Sequence, residues 1–259
     1  MLVTRVLSAL VLVPIVIILI LVGGWVFAGG LAVVLGLAAR EYVQMMQLGG
    51  FQPTWGILLV LIAALLLDDA RLLPVVISLG LLASLSWQMS RRSANATADW
   101  ALTFAGGLYL GWAGRHFILV RAFDQSPVWL LLVLGGVWLA DSGAYIAGSR
   151  LGRHKMTPVL SPKKSWEGLA GGIAVGAVGN GLFAAALGLP PIHGVWLGVI
   201  GGTIGTLGDL SISMMKRQVG VKDTGHVIPG HGGVLDRIDS VLFAVIAGFL
   251  YLTWFAGLA

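Results

Sequence analysis

An all-α fold, a polytopic membrane bundle of about nine transmembrane helices, is what this 259-residue sequence predicts. Three observations predict it. Apolar stretches of spanning length recur from Leu7 to the C-terminus. Charged residues make up 10% of the chain, against about 25% in ordinary soluble domains, so there is too little polar surface to cover a soluble globule. Lysines and arginines gather on alternate connections between the apolar stretches.

The expected spans, in order, are 6–23, 25–46, 54–67, 72–88, 100–120, 128–148, 167–188, 194–215 and 239–257. The first has Arg5 before an apolar core, as a signal peptide does, but no small-x-small cleavage site follows, which predicts an uncleaved helix. The third and fourth are short, and Asp68, Asp69 and Arg71 between them predict a tight hairpin. The fifth carries Arg115 and His116, the main ionisable groups expected inside spans of residues 1–130; packing explains them as well as a substrate would. The sixth contains Asp141 and the eighth Asp209. Glycines recur at three- or four-residue spacing in the seventh (Gly168, Gly171, Gly172, Gly176, Gly179) and eighth (Gly198, Gly201, Gly202, Gly205, Gly208), which predicts close helix packing and permits a homodimer. Asp236 and Asp239 open the ninth.

With nine spans, one face collects thirteen of the sixteen basic residues: Arg5, Arg40, Arg91, Arg92, Arg150, Arg153, Lys155, Lys163, Lys164, Lys216, Arg217, Lys222 and Arg237. Arg71 and Arg121 lie opposite. That bias predicts a cytoplasmic N-terminus and an external C-terminus. No cysteine is present, which excludes disulfides, thiolate metal sites and a cysteine nucleophile. No internal repeat of the kind common in transporters is evident.

The chemistry is expected in the second half, with residues 1–130 forming a spanning region for packing and lipid access and residues 131–259 the catalytic region. A carboxylate inside a span costs about 2.5–3.5 kcal/mol on insertion scales and marks function by default. Asp141 and Asp209 each lie roughly 20 Å along their helices, in the cytoplasmic third. Asp236 and Asp239 enter at the same depth, so four carboxylates can meet. Asp209, Ser213 and Lys216 share one helix face, and Asp236 and Asp239 another. Such a cluster needs protons, basic side chains or a divalent cation, and oxygen-only ligands suit Mg²⁺. Lys216, Arg217, Lys222 and Arg237 can hold phosphate oxygens, and residues 230–233, with His231, Gly232 and Gly233, can present backbone N–H groups to an anion. Carboxylate, metal and phosphate together describe a nucleotidyl- or phosphoryl-transfer site. Taken singly, each basic residue could equally be a topology anchor beside anionic lipid.

The segment SMMKRQVGVKDTGHVIPGHGGVLDRID, residues 213–239, resembles the signature of the phosphatidate cytidylyltransferases, the CDP-diacylglycerol synthases. DSGAYIAG at 141–148 and SPKKSWEG at 161–168 resemble the same family. The resemblance covers roughly residues 138–240; the first 130 residues match only as hydrophobic spans. It implies attack of the phosphatidic acid phosphate on the α-phosphorus of CTP, giving CDP-diacylglycerol and pyrophosphate with no covalent enzyme intermediate. The implied metal ligands are Asp209 and Asp236, with Asp141 and Asp239 as direct or outer partners of Mg²⁺ and room for a second cation. Lys216, Arg217, Lys222 and Arg237, assisted by Ser213, would hold triphosphate or lipid phosphate; Lys163 and Lys164 add charge, and Ser165 could cap the seventh helix.

Other positions stay open at this level. His231 could carry a proton, touch phosphate or order its loop. Asp223 could pair with a cation or bind metal, Glu167 could contact nucleotide or complement the helix dipole, and Tyr145 could stack on a base or pack. The expected partners are CTP, phosphatidic acid and membrane lipids, with no nucleic acid, at a bacterial plasma membrane with the site facing the cytoplasm. Rival readings are a CTP-dependent enzyme for another lipid and an ion-coupled transporter using Asp141 and Asp209 as a relay. A CDP-alcohol phosphotransferase fits less well, because its D-G-x-x-A-R pattern is absent.

Overall fold

The computed structural model describes residues 2–67, 70–228 and 232–256, with side chains from residue 10 onward except at 125. Apolar runs become helices because in hydrocarbon each backbone N–H and C=O must be satisfied within its own segment. Among the described residues these are α1 (Leu2–Val22), α2 (Gly24–Leu48), α3 (Trp55–Leu66), α4 (Leu73–Met89), α5 (Ala96–Ala122), α6 (Val128–Leu151), α7 (Trp166–Ala186), α8 (Pro191–Gln218) and α9 (Leu235–Trp254). Each overlaps one expected span. By length and composition, α2, α6, α7 and α8 are long and apolar enough to cross a membrane, while α3 and α4 are shorter apolar helices. The all-α expectation holds; a full count of nine crossings still rests on the sequence pattern. α3 and α4 are separate helices, but Asp68 and Asp69 of the expected hairpin lie outside the described residues. A two-stranded antiparallel hairpin, β1 (Lys155–Thr157) and β2 (Ser161–Ser165), joins α6 to α7, pairing Lys155 with Ser165 and Thr157 with Ser161.

The chain forms two compact units, Met1–Ile118 with Lys216–Arg237, and Leu119–Met215 with Ile238–Ala259. In the first, Leu35, Leu58, Leu65, Leu110 and Ala113 are fully buried. Polar ties fix its connections. The Asp99 carboxylate accepts from the Gln52 N–H at 2.6 Å and from the Ser93 hydroxyl. Arg115 Nη1 donates to the Leu67 carbonyl at 2.7 Å, closing the C-terminal end of α3, and His116 Nδ1 lies 2.8 Å from the Trp112 carbonyl. Arg115 thus ties α5 to the end of α3, whereas the His116 contact lies within α5.

The second unit packs α6, α7 and α8 through their glycines. A Cβ added at Gly172 would lie 2.8 Å from the Ala140 carbonyl, and one at Gly136 would lie 2.6 Å from that of Leu197. Nothing larger than hydrogen fits at this approach. Asn180, fully buried, donates from its amide nitrogen to the carbonyls of Leu132 (3.1 Å) and Gly194 (3.0 Å), linking three helices. Midway along α8 a π-helical stretch covers Gly201–Gly205. Large apolar side chains stand exposed along the helices, Trp25, Val60 and Leu182 among them, as hydrocarbon-facing surfaces require.

Candidate functional site

In the second unit, the C-terminal half of α6, the hairpin, the start of α7 and the C-terminal part of α8 enclose a cavity of ≈ 220 Å³. Asp141 and Tyr145 from α6, Lys163, Lys164 and Ser165 from β2, and Thr206 and Asp209 from α8 line it. The expected Asp141, Asp209, Lys163 and Lys164 are thus brought to one place. Lys164 Nζ lies 2.5 Å from Asp209 Oδ2, with both side chains partly exposed. The Ser213 hydroxyl reaches Asp209 Oδ1 at 3.3 Å, as one turn of helix allows.

The local sequence explains how the lysines are held. Ser165 caps α7, its hydroxyl accepting from the Gly168 N–H at 3.1 Å. Glu167, in the first turn, accepts from the backbone N–H groups of Arg153 (3.1 Å) and His154 (3.2 Å) and lies 2.5 Å from the His154 ring. It ties the start of the hairpin to its end, so Lys163 and Lys164 sit on a strand clamped at both sides. The α7 N-terminus adds a partial positive charge beside the cavity. Tyr145 is largely exposed.

In the first unit, the connection between α8 and α9 is organised around two carboxylates. Lys216 Nζ lies 2.6 Å from Asp236 Oδ1, with side chains 10% and 5% exposed. The other oxygen, Oδ2, accepts from the Thr224 N–H at 2.8 Å, the Thr224 hydroxyl at 3.0 Å and the Gly233 N–H at 3.1 Å. The Gly233 N–H, expected to face a bound anion, points at this carboxylate. Gly232 adopts φ +81, and its added Cβ would lie 3.0 Å from Asp236 Oδ2. Ile228 N–H donates to the Gly232 carbonyl at 3.0 Å and closes the loop. Arg217 Nη1 donates to the Val221 carbonyl at 3.0 Å. Lys222, Asp223 and Arg237 are exposed, and His231 lies outside the described residues.

The second carboxylate was not legible in the sequence as part of this loop. Glu41 of α2 is 1% exposed, accepting from the N–H groups of Val234 and Leu235, both at 2.9 Å, and its Oε2 lies 3.1 Å from the Thr224 hydroxyl oxygen. The expectation that Arg115 and His116 are the main ionisable groups in the early spans is therefore corrected. The cost of an intramembrane carboxylate could have flagged Glu41. Asp239, one turn beyond Asp236, is buried, and its Oδ1 accepts from the Ser240 N–H at 2.7 Å. Among the described residues, no three Asp, Glu, His or Cys side chains form a ready cage for a cation.

Comparison with known proteins matches residues 3–255 to the model of the cytidylyltransferase family. The chain is 33% identical to a phosphatidate cytidylyltransferase of Synechocystis sp. over 271 residues, covering 92% of each protein. It is 34% identical to one from Pseudomonas aeruginosa, covering 99% of this chain and 98% of that protein. A Brucella suis relative of the same name is also 34% identical, over 96% of this chain and 92% of its own length.

Proposed function

The chain belongs to the cytidylyltransferase family, and from that premise we propose that it is a membrane nucleotidyltransferase making CDP-diacylglycerol and pyrophosphate from CTP and phosphatidic acid. The observation that carries the reading is the cavity shared by Asp141, Asp209, Lys163 and Lys164 at one end of α6, α7 and α8. A triphosphate needs cations to enter; a metal held beside it would need carboxylates. An oxygen of the lipid phosphate forms the new bond to the CTP α-phosphorus, the bond from that phosphorus to the bridging oxygen of the β-phosphate breaks, and pyrophosphate carries the electron pair away. The acceptor oxygen is already anionic, so this route requires no base.

The protein's part is positioning and charge neutralisation. Lys163 and Lys164 are suited to the triphosphate, and Lys164 can turn from Asp209 to a phosphate oxygen. The clasp of Lys216 on Asp236 holds the loop that bears the exposed cations Lys222 and Arg237. A site with carboxylate and hydroxyl oxygens fits Mg²⁺, which characteristically uses one or two carboxylates together with substrate phosphates and water. Asp209 and Asp141, which line the cavity, would hold it; bound there, it would neutralise charge on the triphosphate and the departing pyrophosphate. The bacterial relatives support a bacterial plasma membrane location, and the positive-inside bias supports this site on the cytoplasmic face.

The test is pyrophosphate release from CTP by the purified full-length chain, with phosphatidic acid and other lipid phosphates offered in turn. Release with phosphatidic acid, abolished by chelator and lowered about tenfold or more in Asp209→Asn, is expected. No release with any lipid phosphate would sink the reading; release with a different one alone would reassign the substrate.

A further inference from the structure

Glu41 is an acidic residue placed in an apolar helix, yet no basic side chain among the described residues bonds to it; its partners are the loop and the first turn of α9. Its two oxygens accept from two successive N–H groups, Val234 and Leu235, donors that an α-helix leaves unpaired at its N-terminus. Its remaining contact is the Thr224 hydroxyl, which also lies 3.0 Å from Asp236 Oδ2. A threonine hydroxyl carries a single proton and can serve one carboxylate at a time. Backbone N–H groups serve both carboxylates, so Thr224 is pinned between them and displacement of one is felt by the other. Gly225 and Gly233 close over Glu41, and an added Cβ at Gly225 would lie 2.8 Å from Glu41 Oε1.

We propose that Glu41 is a positioning residue for nucleotidyl transfer, acting through Thr224 to set the Asp236 carboxylate and the loop that Lys216 clasps. The inference rests on the nucleotidyltransferase reading above. Glu41 sits 183 residues from Thr224 and 194 from Leu235 in sequence, so the first unit uses an early helix to set the geometry of the late signature loop. A glutamine at position 41 has one acceptor oxygen, and its amide N–H₂ would face a backbone donor, so it no longer offers a separate oxygen to each N–H group.

The experiment measures kcat and KM for CTP, per folded molecule, alongside thermal unfolding, for Glu41→Gln, Thr224→Val, Thr224→Ser and the Glu41→Gln/Thr224→Val double variant. Expected is a loss in kcat of about tenfold or more in Glu41→Gln and Thr224→Val, with the KM for CTP little changed. Thr224→Ser, which keeps the hydroxyl, should recover most of the turnover, and the double variant should be no slower than the worse single, as coupled residues behave. Wild-type kcat per folded molecule in Glu41→Gln, or losses that multiply in the double variant, would overturn the proposal. If the Glu41 variants fail to fold, the isosteric contrast of Thr224→Val with Thr224→Ser decides: equal turnover refutes it. An inactive wild-type protein would instead refute the nucleotidyltransferase reading.

Discussion

The Lys216–Asp236 pair is buried on both sides, and this decides what its loss should do. Surface ion pairs contribute about 1 kcal/mol or less, whereas removing one partner of a buried pair strands the other, at about 3–5 kcal/mol. Lys216→Met should therefore destabilise the protein by about 3–5 kcal/mol, read as a lower midpoint of denaturant unfolding in detergent. Lys216→Met/Asp236→Leu should regain only part, because the N–H groups of Thr224 and Gly233 then lose their acceptor. A Lys216→Met protein as stable as wild type would show the pair to be solvated. At this scale the sequence was legible where a charge interrupts an apolar helix: Asp141 and Asp209, singled out that way, line one cavity. It was illegible where the partner is backbone. Glu41 bonds to two N–H groups, and no residue type at 234 or 235 advertises that contact.

Glycine spacing sets the second unit at the scale of elements. Gly172 of α7 meets α6 where Ala144 lies 3.0 Å and the Ala140 carbonyl 2.8 Å from an added Cβ. Ala144 and Asp141 of that helix line the cavity. Gly172→Val must push α6 away, costing about 1–3 kcal/mol by overpacking and displacing Asp141, so turnover should fall along with thermal stability. Gly29→Ala is the contrast: nothing lies within 4 Å of its added Cβ, and helix propensity predicts a change of about +0.4–1 kcal/mol. Equal stability of the two variants would contradict the packing account. Span positions were legible because hydrocarbon thickness fixes helix length. The β1–β2 hairpin was not, since SPKKS has no apolar alternation and carries a proline. Nor was the π-helical stretch of Gly201–Gly205, which changes the residue count per turn upstream of Asp209. Asp209 and Ser213 both lie beyond it, so their shared face survives.

For the molecule as a whole, sidedness is the property that joins sequence to chemistry, because CTP is water-soluble and phosphatidic acid is not. Within the first unit, Glu41 lies toward the C-terminal end of α2 and bonds to the connection entering α9. Within the second, the hairpin joining α6 to α7 reaches Asp209 in the C-terminal part of α8. Each contact joins the ends that nine alternating spans assign to the basic face. Because the chain has no cysteine, single introduced thiols report sidedness without background. Val159 at the hairpin tip is 82% exposed, and Leu187 between α7 and α8 is 41% exposed. A membrane-impermeant maleimide should label Leu187→Cys in intact cells, and Val159→Cys only once the membrane is opened. The reverse pattern would turn the bundle over and put the lysine-lined cavity on the face away from CTP. Labelling of both in intact cells would mean that α7 does not cross. The location of the site thus stands or falls on two thiols at opposite ends of one helix.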